Sequence, residues 1–188
     1  SLGRVSDEDH DRAEDWRGLA PTPGKPNPDP AAYIGKVRLT EIHPLDPTGG
    51  WAEIEVLEGP LDVSTITVTD LDGTDRMLSR SPLTLAGGEF LALRWDMPGV
   101  TETDEIGDAN GNGLREAYIP SFFTKSSDQI LVRWGPYPLD AVVWGESVSQ
   151  AADLEQVRNL GEWNGPVLFP TLRDQSLGRR PGAEDSNG

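Results

Sequence analysis

From residue 36 to residue 145 the chain is a succession of short apolar-alternating runs cut by Gly, Pro and Asp, and this punctuation constrains the fold more than any other feature. The runs are KVRLTEIH (36–43), WAEIEVL (51–57), DVSTITVT (62–69), DRMLS (75–79), FLALRW (90–95), QILVRWG (129–135) and LDAVVWG (139–145). In WAEIEVL, Ala52, Ile54 and Val56 fall on one side of a two-residue period, while Glu53 and Glu55 fall on the other. That is the pattern of a strand with one solvated face. In DVSTITVT, Ser64, Ile66 and Val68 share a face in the same way. TDLDGTDR reads as a hairpin turn with Asp72-Gly73 at the positive-φ positions, and WGPYP (134–138) as a second tight connection. Many short strands separated by turn chemistry predict an antiparallel sandwich or barrel. One segment carries a helical pattern instead. In residues 146–163, Ser147 and Gln150 fit a capping box, Ala151, Leu154 and Val157 form a stripe, and Gly161 fits a stop.

Charge narrows the function classes. With 16 Lys+Arg against 32 Asp+Glu the formal net charge is −16, so a phosphate backbone would be repelled at long range, and no local basic patch offsets this. No nucleic-acid partner is expected. An acidic surface suits solubility, cation binding or a partner with a basic face. The chain has no cysteine, which removes disulfides, thiolate metal sites and cysteine nucleophiles. No apolar run approaches the roughly 20 residues of a membrane-spanning helix, so no membrane insertion is expected. The absence of an initiator Met and of a basic-then-apolar leader leads to the expectation of a processed product or an excerpt of a longer protein.

Residues 1–32 differ from the rest. They are poor in apolar residues, acidic, and carry Pro21, Pro23, Pro26, Pro28 and Pro30, a spacing that favours extended chain. They are expected to form an N-terminal arm or linker, with the β-domain spanning 33–188. Trp16 does not suit a solvated linker, because an indole favours a surface on which to bury itself. The arm also opens with SLGR at Ser1 to Arg4, and the same word returns at Ser176 to Arg179.

VRLTEIHPLD, GWAEIEVLEGPLDVSTITVTDLDG, GGEFLALRW, SSDQILVRWG, LDAVVWG and SLGRRPGAEDSNG occur in this order, and over 33–188 the chain resembles the lamin-tail domain. That resemblance implies an immunoglobulin-like β-sandwich of the kind found in nuclear lamins and in secreted bacterial proteins. The match departs from the family at Leu57 and Glu58, where Tyr-Asn is usual, and at Thr65 and Ile66, where Gly-Trp is usual. The family's habitual ending, Ser-Leu-x-Arg followed by an acidic loop, an aromatic-centred segment and a Pro-Thr-Pro-Gly-x-Pro-Asn close, stands here at the front as SLGR, SDEDHDRAED, WRGLA and PTPGKPN. Residues 1–27 thus resemble the end of a preceding domain. Two arrangements follow: a tandem array, or an arm that supplies a sandwich edge in its own chain or in a neighbour. Head-to-tail donation without ring closure builds a filament. Leu2, Trp16, Leu19, Pro21 and Pro23 are the expected self-association residues, with copies of the chain or a neighbouring domain as partners.

Chemistry-bearing motifs are sparse. In DEIGDANGNGLREAY, Asp108, Asn110, Asn112 and Glu116 take the 1, 3, 5 and 9 positions of an oxygen-rich calcium loop, with Gly113 at the sharp turn. Position 12 is Ile119 where a bidentate Glu belongs, so a plain acidic turn is the competing reading. Asp70, Asp72 and Asp75 make a weaker candidate of the same kind. His10 and His43 have no ligand at metal spacing, and His43 suits a structural role at a strand end. No nucleophile elbow, zinc helix or phosphate loop is present. Of the six tryptophans, Trp95, Trp134 and Trp144 end strands and are expected in the core or at its rim. The expectation is a non-enzymatic structural module, extracellular or at a cell surface, that assembles with itself. An accessory domain binding glycan or protein, with calcium as its one candidate cofactor, is the alternative.

Overall fold

The computed structural model describes residues 2–4, 16–18, 32–44, 49–69, 76–79, 82–95, 104–105, 113–119, 127–135, 137–145 and 176–179. Its strands are β1 (Leu2–Arg4), β2 (Trp16–Gly18), β3 (Val37–His43), β4 (Trp51–Val56), β5 (Leu61–Asp62), β6 (Ile66–Thr69), β7 (Arg76–Met77), β8 (Thr84–Leu85), β9 (Phe90–Arg94), β10 (Asp104–Glu105), β11 (Glu116–Tyr118), β12 (Ser127–Trp134), β13 (Tyr137–Gly145) and β14 (Leu177–Gly178).

Two sheets make an all-β sandwich. One has six strands in the order β10-β11-β9-β4-β3-β14, and the other has four in the order β13-β12-β6-β7. The alternation read in WAEIEVL decides which way the first sheet faces. Ala52, Ile54 and Val56 are fully buried, while Trp51, Glu53 and Glu55 are half-buried on the outer side. Leu39, Ile42, Ile54, Leu91 and Leu93 from this sheet share one core with Ile66, Val68, Ile130, Val132 and Trp144 from the other. Each such aliphatic side chain contributes on the order of 1.5–3 kcal/mol by leaving water. On the outer face the polar residues pair across strands. Arg38 donates to Glu55 Oε2 at 2.6 Å, and Thr40 Oγ1 donates to Glu53 Oε1 at 2.6 Å.

The expected strand over 62–69 is broken. Val63–Thr65 form a single 3-10 turn between β5 and β6, because the Asp62 carboxylate accepts from the Ser64 N–H at 3.0 Å and caps that turn. A short acidic side chain that bonds its own backbone competes with the ladder at this point. The sheet is also not wholly antiparallel, since β11 runs parallel to β9 with Ala117 opposite Leu93. Parallel neighbours need a long crossover rather than a hairpin. The chain between Arg94 and Glu116 supplies one, with β10 pairing antiparallel to β11 on its way. Both expected tight connections lie between paired strands, β6 with β7 and β12 with β13. Trp134 faces Tyr137, and Gly135 has the positive φ, 56°, that a two-residue turn demands. The expected helix over 146–163 and turn residues 70–75 lie outside the described residues.

A glycine fixes one close approach. A Cβ on Gly50 would stand 2.2 Å from the indole nitrogen of Trp95, whose backbone N–H also donates to Gly50 O at 2.9 Å. Trp95 is 1% exposed, so the indole has no room to retreat.

Candidate functional site

The residues that gather most polar chemistry in the interior lie where β3, β13 and β14 meet. The ladder between β3 and β4 shifts register between Leu39 and Glu41, which leaves Thr40 as the extra residue and puts Thr40 and Glu41 both on the outer side. A second shift lies between β12 and β13. Val132 faces Asp140 whereas Arg133 faces Pro138, so Leu139 is the extra residue. Such bulges re-aim side chains. Beyond this one, strand alternation places Asp140 on the same face as Val142 and Trp144, both members of the core. Asp140 is thereby 0% exposed at the sandwich edge, facing β3 of the opposite sheet.

Its carboxylate is saturated by donors. Leu39 N–H donates to Oδ2 at 2.7 Å and Ala141 N–H to Oδ1 at 2.8 Å. Arg179 Nη2 reaches Oδ1 at 3.1 Å and Oδ2 at 2.9 Å, and its Nε donates to Leu39 O at 3.1 Å. The Arg179 backbone N–H donates to Thr40 O at 2.7 Å, and Ser176 Oγ donates to Glu41 Oε1. Between them, Leu177 and Gly178 pair with Ile42 and Glu41. Every residue of the word SLGR at 176–179 is thus engaged on β3, and its arginine crosses to the second sheet. Only a guanidinium presents donors to a carboxylate and a carbonyl in one rigid plane, so lysine is no substitute here.

The arrangement closes an edge. Leu39 and Thr40 would otherwise offer unpaired backbone groups at the rim of the sheet, the usual template for strand addition. β14 covers that rim and becomes the rim itself. Because the Arg179 N–H points to β3, alternation turns the N–H and C=O of Gly178 away from it. No described strand lies on that outer side of β14. In the first SLGR, residues 2–4 are also extended. Leu2–Arg4 form β1, which pairs antiparallel with β2 in a two-stranded sheet, Arg4 opposite Trp16.

Of the expected self-association residues, Leu2 and Trp16 therefore lie in paired strands, while Leu19, Pro21 and Pro23 lie outside the described residues. Among the expected calcium ligands, Asp108, Asn110 and Asn112 lie outside them as well. Glu116 is 2% exposed in β11, where Arg94 Nε donates to its Oε1 and the Tyr118 hydroxyl donates to its Oε2 at 3.1 Å. Among the described residues no group of three acidic or histidine side chains is set to hold a metal.

Trp95 and Trp144 are each 1% exposed, and Trp134 is stacked on Tyr33 at 4.8 Å between ring centroids and on Tyr137 at 5.9 Å. These indoles build the core and its rim, as expected, and present little surface to a sugar. His43 is buried with its ring edge-on to Trp51, which suits the structural role. A shallow cleft of about 450 Å³ lies beside Glu53, Phe90, Leu114 and Arg115 on the outer face of the six-stranded sheet. Asp140 was not singled out in the sequence. Its signal was a carboxylate inside the apolar run LDAVVWG, where a solvated charge has no place.

No protein-family model, no curated protein and no solved structure matches this chain.

Proposed function

We propose that the protein is a non-enzymatic, extracellular structural module that assembles head to tail with copies of itself through its N-terminal arm, on the lamin-tail pattern it resembles. One observation carries this reading. The word SLGR is the element that closes the sandwich edge at 176–179, and a second copy of it, whose Leu2–Arg4 form β1, opens the arm. A chain with two such words has one more than its own edge requires. The saturated, buried state of Asp140 and the paired charges of the outer face suit a scaffold better than a reaction centre. Among the described residues no helix is long and apolar enough to cross a membrane.

Light scattering across a concentration series tests the reading. The full chain grows in mass with concentration, and a chain lacking residues 1–30 stays monomeric with the same melting temperature. Equal masses for the two chains would refute it. A monomer that binds immobilised glycans would point instead to an accessory binding domain.

A further inference from the structure

Resting on the arm-mediated assembly just proposed, we infer that the seat of β14 is an exchangeable receptor. It consists of the outer edge of β3 together with the buried carboxylate of Asp140, and its second occupant is Ser1–Arg4 of another copy of this chain, with Arg4 taking the place of Arg179.

The seat reads four residues. Glu41 accepts from Ser176, Ile42 and Glu41 pair with Leu177 and Gly178, and Asp140 with the Leu39 and Thr40 carbonyls takes Arg179. Ser1, Leu2, Gly3 and Arg4 repeat that order without a difference. Whatever 176–179 gains on β3, residues 1–4 gain identically, so exchange is nearly neutral in those contacts. The arm then adds something β14 lacks. β1 is paired antiparallel with β2, Gly3 opposite Arg17, so a donated β1 arrives with a partner strand of its own.

The occupant is assigned to a second copy because, among the described residues, β1 and β2 pair with each other as a separate sheet while the edge of β3 is taken by β14. The contact is heterologous, hairpin to edge, so each copy donates one hairpin and accepts one, which propagates as a chain of subunits. The buried Asp140 supplies the selectivity. A strand without arginine at its fourth position would leave that carboxylate without its guanidinium, a heavily penalised state.

Sedimentation velocity of the full chain, Arg4→Ala, Arg179→Ala and the double variant tests the inference, with near-ultraviolet circular dichroism to confirm folding. Arg4→Ala is expected to keep the wild-type spectrum and melting temperature while weakening assembly about 10-fold or more. Arg179→Ala weakens the resident strand, so assembly moves to about 10-fold lower concentration, and its melting temperature rises with protein concentration. The double variant is monomeric. If Arg179→Ala fails to fold, Arg4→Ala against wild type alone decides the matter. Assembly that persists unchanged in Arg4→Ala overturns the receptor while leaving the arm reading to the 1–30 deletion. A wild-type chain that is monomeric at every concentration overturns both. An Arg4→Ala effect that is independent of concentration places the exchange within one chain and overturns the second copy as occupant.

Discussion

Leu39 donates its backbone N–H to Oδ2 of Asp140 at 2.7 Å, across 101 residues of sequence and from one sheet of the sandwich to the other. In an ordinary edge that amide would face water or a neighbouring strand. Here a side chain from the opposite layer satisfies it, and Arg179 satisfies the Leu39 carbonyl at 3.1 Å. The last described strand therefore holds two sheets together through one arginine, which makes the final SLGR a structural clasp.

Removing the acid should be costly. Asp140→Ala leaves Arg179 and the Leu39 amide without their shared acceptor, and a loss of about 3–5 kcal/mol is expected for breaking a buried pair from one side. Urea denaturation measures it. Asp140→Asn keeps an acceptor for Leu39 and should fall between wild type and Asp140→Ala.

The outer-face pairs should behave differently. Arg38 and Glu55 lie 2.6 Å apart with side chains 25% and 17% exposed. Arg38→Ala is expected to cost about 1 kcal/mol or less, and the cost should shrink as salt rises. A loss as large as that of Asp140→Ala would show that the outer ladder, and not the clasp, dominates the polar energetics.

Gly50→Ala should be destabilising although it adds a single methyl. The new Cβ would overlap the indole of Trp95 at 2.2 Å, and relief requires moving a fully buried side chain. Overpacking of this kind costs about 1–3 kcal/mol. Thermal melts and the near-ultraviolet tryptophan signal report it together.

Calcium is tested by thermal shift. Both oxygens of Glu116 already accept, from Arg94 and from Tyr118, so an ion drawing on Glu116 competes with Arg94 for a carboxylate that is 2% exposed. Millimolar calcium is therefore expected to leave the melting temperature of the wild type unchanged. A rise that disappears in Asp108→Ala would show that residues 108–116 bind the ion in competition with the Arg94 pair.

The sandwich was legible because its signal is local. Ala52, Ile54 and Val56 alternate with Glu53 and Glu55, and burial follows that alternation residue by residue. What was not legible depends on pairing between distant segments. Asp62 ends a strand through a capping bond that periodicity does not register. The parallel pairing of β11 with β9 depends on a crossover whose path no composition encodes. The clasp lies between these cases. The repeated word was visible as sequence, but its meaning needed Asp140, and Asp140 is aimed at β3 by an extra residue, Leu139, that looks like any other apolar position. The strand β14 itself is only two residues long and carries too little pattern to announce itself.

The most direct measurement exploits the lack of native cysteine in the chain. Gly178 faces Glu41 in the resident pairing, so a donated strand places Gly3 of one copy opposite Glu41 of the next. Directly opposed strand residues lie close enough for a disulfide. A Gly3→Cys chain is mixed with a Glu41→Cys chain of different tagged mass and oxidised mildly. The account predicts a disulfide-linked heterodimer whose yield falls when Arg4→Ala is added to the donor. A yield no greater than that from Gly3→Cys mixed with a chain carrying cysteine at the exposed position Glu58 would contradict it.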